Sequence, residues 1–266
     1  YPTPPAAITA LFSGLLTKVG VYSLIRVFTL IFITDPGFLH SLLLIGAGLT
    51  MVSGVLAAAS HFEMRKILAV HIVSQIGYIV MGLGLFTELA LAGSIIYLMH
   101  IIIVKTNLFL IAGAVHRLKG SYDLHVLGGL YKERPGLSIL FIISSMSLAG
   151  VPPLSGFFAK LTLIIGGLQA EHWVIVAVAL GVSLLTLYSM TKIWAYVFWK
   201  PAPAALPDLN PMSRAAWFFF LLPIVGFTII IVALGVFAGP VFDYAKLAAG
   251  QLMDPSGYIH AVLGGG

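Results

Sequence analysis

Cysteine is absent from the chain, which rules out disulfides and any haem or iron–sulfur cluster held by its own thiolates. Charge is scarce as well. Only 9% of the 266 residues are Asp, Glu, Lys or Arg, against about 25% in soluble domains. With 60% apolar residues and a mean hydropathy of +1.07, that scarcity excludes a water-soluble domain and identifies an integral membrane protein. HExxH, paired intramembrane aspartates, phosphate loops and nucleophile elbows are all missing, so no metal and no cofactor is expected. No carboxylate falls inside the long apolar runs. A net charge of +5 and a pI near 9.4 do not point to nucleic acid, because the basic residues sit in short connections between those runs.

Seven apolar runs remain, approximately Ala6–Phe32, Phe38–Ala59, Ile67–Phe86, Ala90–Val115, Leu137–Leu168, Trp173–Trp199 and Ala215–Phe242. Each is long enough to cross a bilayer as a helix, which predicts an all-α polytopic membrane fold. The fifth is too long for one straight span, and Pro152-Pro153 interrupts it. Proline removes backbone donors and pushes the preceding residue out of the helical region. Loop charges decide how often this run crosses. Arg65 and Lys66, then Arg117, Lys119, Lys132 and Arg134, then Lys200 and Arg214 occupy alternate connections. The connections between them carry Asp35, Glu88 and Glu171 and no lysine or arginine. All basic connections fall on one side only if the fifth run crosses once as a discontinuous span. That gives seven crossings, with the N-terminal end cytoplasmic and the C-terminus outside. Tyr196, Trp199 and Trp217 fit an aromatic belt on the basic side, and Arg26 and Lys192 read as snorkelling anchors near span ends. Residues 243–266 are expected to form an extracytoplasmic tail. The opening Tyr1-Pro2-Thr3-Pro4-Pro5 reads as a loop between two spans, so the chain is expected to be the C-terminal part of something larger.

Within these greasy runs lie Lys18, Lys105 and Lys160. An ionisable group at mid-membrane costs on the order of 3 kcal/mol or more, and is a functional hypothesis by default. Lysine is the cation that can answer burial by giving up its proton, so a row of lysines can take up and release protons. Lys18 lies near mid-span, beside Ser13, Thr17 and Tyr22. His71, Gln75 and Tyr78 follow i, i+4, i+7 spacing and share one helix face. They either order water for proton transfer or act as interhelical hydrogen-bond glue. His100 and Lys105 are five positions apart, roughly 140° around a helix, and so can face different neighbours. Lys160 follows the break at Pro152-Pro153, and Ser155 lies between them. Broken helices at membrane depth are tolerated where they line a buried or watery cavity, and in transporters they mark ion sites.

Several of these stretches resemble one family. Phe12-Ser13-Gly14-Leu15-Leu16-Thr17-Lys18-Val19-Gly20-Val21-Tyr22, Val73-Ser74-Gln75-Ile76-Gly77-Tyr78 and Val104-Lys105-Thr106-Asn107-Leu108-Phe109-Leu110 are similar to helices of the antiporter-like membrane subunits. So is Ser147-Leu148-Ala149-Gly150-Val151-Pro152-Pro153-Leu154-Ser155-Gly156-Phe157-Phe158-Ala159-Lys160. That family includes the proton-pumping membrane subunits of respiratory complex I and the Mrp-type multisubunit Na+/H+ antiporters. With Leu187-Tyr188-Ser189-Met190-Thr191-Lys192-Ile193-Trp194, the chain looks most like the D-type Mrp subunits, C-terminal half. The resemblance implies a membrane-embedded proton path, with Lys18 as mid-path lysine, His100 as connecting histidine and Lys160 as terminal lysine. Lys105 matches a polar position beside that row. Gln75 stands where a complex I relative has histidine, which points to conduction through water there. The implied partners are the other subunits of the assembly, other antiporter-like subunits included, with protons and Na+ as the ions handled and a bacterial cell membrane as the location. A charged lysine repels Na+, and no membrane-depth carboxylate offers it oxygen ligands, so Na+ is expected to bind elsewhere in the assembly. A redox-driven pump of the complex I type is the alternative. A structural scaffold is a third reading, in which replacing a lysine lowers yield and not transport.

Overall fold

The computed structural model describes residues 4–32, 36–201 and 214–264, and among these the regular structure is helical. Helix α1 (Ala6–Leu30) carries a π turn at Phe12–Leu16. Then follow α2 (Pro36–Ser60), α3 (Met64–Leu85), α4 (Glu88–Lys119) and the short α5 (Leu130–Glu133). Helices α6 (Pro135–Ala149) and α7 (Ser155–Gln169) precede α8 (Trp173–Trp199), whose last five residues form a second π turn. The described chain ends with α9 (Arg214–Val236), α10 (Ala238–Met253) and α11 (Ser256–Leu263). Six of these helices, α1 to α4, α8 and α9, are long and apolar enough to cross a membrane.

Helices α3 and α4 form the centre, as their burial shows: Tyr78, Tyr97, Phe109 and the lysine Lys105 are all essentially sealed from solvent. The sequence sets the ends of α4 well. Thr87 caps its start, accepting the Ala90 N–H at 3.2 Å, and Glu88 follows in the first turn. Its last turn holds His116, Arg117 and Lys119 before Gly120 turns left-handed. Acid at the N-terminus and base at the C-terminus both suit the helix dipole. By contrast α1 and α2 expose Leu15, Val19, Leu42, Ile45 and Leu49 along their outer faces.

The basic connections meet at one end of the molecule. The Met64 N–H donates to the Tyr122 carbonyl and the Leu124 N–H to the Phe62 carbonyl, both at 2.9 Å, pinning the α2–α3 connection to the α4–α5 connection. The Gly129 N–H donates to the Lys200 carbonyl at 2.6 Å, and the Lys200 ammonium donates to the His125 carbonyl at 3.2 Å. Arg117 lies over Phe220 and Arg134 over Trp217, which brings in the start of α9. Helix α6 begins at this end. Helix α7 finishes at the other, where Gly167 packs beside Val176 and Leu85. The broken segment therefore traverses the bundle once, as α6 plus α7, each 15 residues long. Neither half alone matches the roughly 20 residues a full span needs.

Two readings of the sequence change. The last apolar run was expected to continue to Phe242, but α9 ends at Val236 and residues 238–242 open α10. Hydropathy carries no mark of this end, whereas Pro240 does: it lacks an N–H and suits a first helical turn. The tail then turns back on α4, burying Ala245 and Ala249, and Tyr258 of α11 sits under the Arg26 guanidinium at 4.5 Å. Lys192 is also no free anchor. It is 7% exposed and donates to the carbonyls of Ala59 and His61, both at 2.7 Å, closing the C-terminal end of α2. Tyr1 to Thr3 and the connection residue Asp35 lie outside the described residues.

Candidate functional site

The interrupted segment supplies the centre of the site. Gly150 ends α6 with φ +93°, a left-handed conformation that glycine adopts without a Cβ clash. The chain passes Pro152-Pro153, a cis peptide, and re-enters a helix at Ser155. Four carbonyls at a helix C-terminus lack intrahelical partners, and that end of the helix is the negative pole. Here that pole lies inside the bundle, and Lys160 answers it: its ammonium donates to the Ala149 carbonyl at 2.9 Å. The same ammonium stands 5.0 Å from the Tyr78 ring centroid.

His100 approaches from α4. Its Nδ1 shares a hydrogen bond of 2.8 Å with Ser155 Oγ, which lies 3.2 Å from Ser147 Oγ across the break. Gly156 permits this approach. A Cβ there would run into the Ser147 carbonyl and come within 2.8 Å of His100 Nε2. From His100 and Ser155 a cavity of about 280 Å³ runs to the α9–α10 junction, walled by Phe158, Thr162, Leu234 and Phe242.

The other lysines are held in the same way, by carbonyl oxygen. Lys105 donates to the Leu68 carbonyl at 3.0 Å, so His100 faces α7 while Lys105 faces α3. Lys18 donates to the Ser13 carbonyl at 2.5 Å, within the π turn that widens α1. π turns are frequent at functional sites. Gly14 of α1 packs against Thr106 and the Ile102 carbonyl, which brings the Lys18 turn beside that of Lys105, and His100 meets α7 at Ser155, five residues before Lys160. The series Lys18, Lys105, His100, Lys160 thus runs through α1, α4 and α7 without a carboxylate beside any member among the described residues.

The face shared by His71, Gln75 and Tyr78 does not act as one stripe. Gln75 Oε1 takes a hydrogen bond from the Tyr97 hydroxyl. Tyr78 donates to the Ala179 carbonyl at 2.5 Å and meets Ser183 Oγ at 2.8 Å. The Tyr78 and Tyr97 rings lie 5.2 Å apart, and Tyr97 lies 5.8 Å from His100, which links this face to the break. His71 is fully buried, and neither ring nitrogen meets a protein partner. Further buried polar atoms of α1, α3 and α4 are without a protein partner: Ser13 Oγ, Thr17 Oγ1, Ser74 Oγ, Gln75 Nε2, His100 Nε2 and Asn107 Oδ1. Leaving such a group unsatisfied costs about 1–3 kcal/mol, so groups of this kind are met by water.

Sequence reasoning missed Tyr97, and it named Ser147 and Asn107 without giving them a part in the site. Tyr97 and Ser147 carry no spacing signal of their own. Asn107 ties α4 to its neighbours, donating to Ser144 Oγ on α6 and Thr228 Oγ1 on α9, both at 2.9 Å. Its near alignment with His100, two helical turns earlier, was the available clue.

Comparison with known proteins gives a consistent result. Residues 1–186 match the family described as NADH:quinone oxidoreductase/Mrp antiporter, TM. The D-type subunit of the Na(+)/H(+) antiporter of Alkalihalophilus pseudofirmus is 52% identical over 263 residues, 99% of this chain and 52% of that protein. The D-type Na(+)/H(+) antiporter subunit of Bacillus subtilis is 40% identical over 266 residues, with the same two shares. A chain of the solved Mrp complex from Dietzia sp. DQ12-45-1b superposes with a TM-score of 0.91 at 37% identity, covering 99% of this chain and 56% of that one. The chain thus spans about half the length of the relatives it matches.

Proposed function

The chain belongs to the NADH:quinone oxidoreductase/Mrp antiporter family of membrane proteins, and from that premise we propose that it forms the lysine–histidine half of a D-type subunit in an Mrp-type Na+/H+ antiporter. In this reading Lys18, Lys105, His100 and Lys160 carry protons through the membrane. Ser155, His71, Gln75 and Tyr78 order the water between them, and the Pro152-Pro153 break admits that water at mid-depth. The other subunits of the assembly are the partners, in a bacterial cell membrane, with the basic connections and the N-terminal end cytoplasmic and the C-terminus outside. Clustering of Arg65, Arg117, Arg134 and Lys200 at one end supports that orientation.

The observation that carries the reading is how the lysines are held. Lys18, Lys105 and Lys160 each rest on a single carbonyl oxygen, and among the described residues no carboxylate neutralises any of them. A carbonyl steadies an ammonium but leaves it free to release its proton. An ion pair would hold the charge in place. The same absence disfavours Na+ binding along this row, so Na+ is placed elsewhere in the assembly. Replacing Lys18 or Lys160 by Ala in the whole complex, reconstituted in vesicles, is expected to abolish coupled exchange while assembly persists. Wild-type exchange in either variant would remove the relay role.

A second reading follows from the family's joint description, which covers NADH:quinone oxidoreductases too. There the same row would be driven by electron transfer in a partner. Exchange powered by a Na+ or proton gradient alone supports the first reading. Strict dependence on an electron donor supports the second.

A further inference from the structure

Between the basic end and the mid-depth row lies a set of polar groups whose separate contacts leave room for a joint part. The pinned α2–α3 and α4–α5 connections enclose a hollow of about 450 Å³, lined by His61, His116, His125, Glu63 and Asp123 among others. Behind its His61–Phe62 wall sits Lys192, whose ammonium holds the Ala59 and His61 carbonyls and lies 4.5 Å from the Phe62 ring centroid. Deeper along α3 comes His71, seven positions past Met64 and so about 10 Å farther in along the helix axis. It stands one turn past Leu68, whose carbonyl holds the Lys105 ammonium at 3.0 Å, so it lies between the basic end and the row. Its burial is complete and both nitrogens lack a protein partner. A histidine kept only for packing satisfies at least one nitrogen through a neighbour. An imidazole that passes protons needs both nitrogens open, one to accept while the other donates.

We propose that Lys192 and His71 form an arm of the proton path, joining the hollow at the basic end to Lys105 in the mid-depth row. The inference rests on the proton-path reading of that row. The transfers balance without a further reactant. The Lys192 ammonium gives a proton through water to one nitrogen of His71 and becomes a neutral amine. His71, now an imidazolium, releases the proton on its other nitrogen toward a neutral Lys105. Lys192 is recharged from the hollow, which opens to the aqueous phase at the basic end. The hollow thus serves as a collecting site for protons at the cytoplasmic face.

The competing role for Lys192 is a helix cap alone, and two variants separate the two. Lys192→Arg keeps donors for the two carbonyls but holds its proton permanently. His71→Asn leaves the cap untouched. Both are made in the complete antiporter complex, reconstituted in proteoliposomes, and Na+-driven proton movement is followed beside Lys18→Ala. The arm predicts that each variant assembles and slows exchange roughly tenfold or more, with an enlarged slowing in D2O. Wild-type rates in His71→Asn or in an assembled Lys192→Arg, with Lys18→Ala inactive, overturn the arm and leave the row standing. Wild-type rate in Lys18→Ala overturns both. Should Lys192→Arg fail to assemble, the rate and isotope effect of His71→Asn decide.

Discussion

Lys160 and Lys192 make the same contact in two unlike places. Each sets an ammonium on the carbonyls that end a helix, Ala149 of α6 in one case and Ala59 of α2 in the other, and each lies over an aromatic ring. At the basic end this is how a helix terminus is ordinarily met, because a connection has to start there. At mid-depth the terminus exists only because Gly150 and the two prolines stop α6 halfway through the bundle. The contact costs little near water and far more where no water is assured. A costly contact that structure alone could have avoided with one continuous helix is the stronger sign of function.

The largest expected effect tests this contrast directly. Lys160→Arg retains a cation for the Ala149 carbonyl but cannot shed its proton, so exchange in reconstituted vesicles should fall as completely as in Lys160→Ala, by about a hundredfold or more. An active Lys160→Arg would reduce Lys160 to a helix cap and remove it from the row. Next comes Gly156→Ala. The added methyl meets the Ser147 carbonyl and His100 Nε2, so it should cost about 1–3 kcal/mol and part His100 from Ser155. A lowered thermal midpoint together with slowed exchange is the expected pair of results; slowed exchange without loss of stability would contradict this account. Asn107→Leu removes the ties to Ser144 and Thr228, and thermal unfolding of the complex should show a loss of about 1–3 kcal/mol. The smallest effect is Arg26→Ala, which gives up a cation–π contact with Tyr258 at the far end of α1. About 0.5–1 kcal/mol and an unchanged exchange rate are expected.

Much of this was legible from the chain itself. Long apolar runs announce spans because hydrocarbon demands them, and Pro152-Pro153 announces a break because proline cannot donate. Lys18, Lys105 and Lys160 stand out through depth alone. Lys192 did not, since a lysine a few residues from a span end has a snorkelling route to water, and nothing in α8 reveals that α2 ends beside it. Partners far apart in the sequence stayed hidden for the same reason. Hydropathy records which solvent a residue avoids, and the pairings of Tyr97 with Gln75 or of Asn107 with Thr228 depend on which helices become neighbours.

The π turn in α1 is, in register, one residue more than an α-helix would use over the same rise. Each helical residue turns the chain by about 100°. Removing one residue from Phe12–Leu16 would relax the wide turn and swing every side chain before it by that angle relative to Lys18. With Thr9 and Ala10 held against their neighbours, it is Lys18 that would leave its inward position, 3% exposed, for the outer face of the helix. A single inserted residue thus separates a lysine that belongs to the row from one that faces away from it.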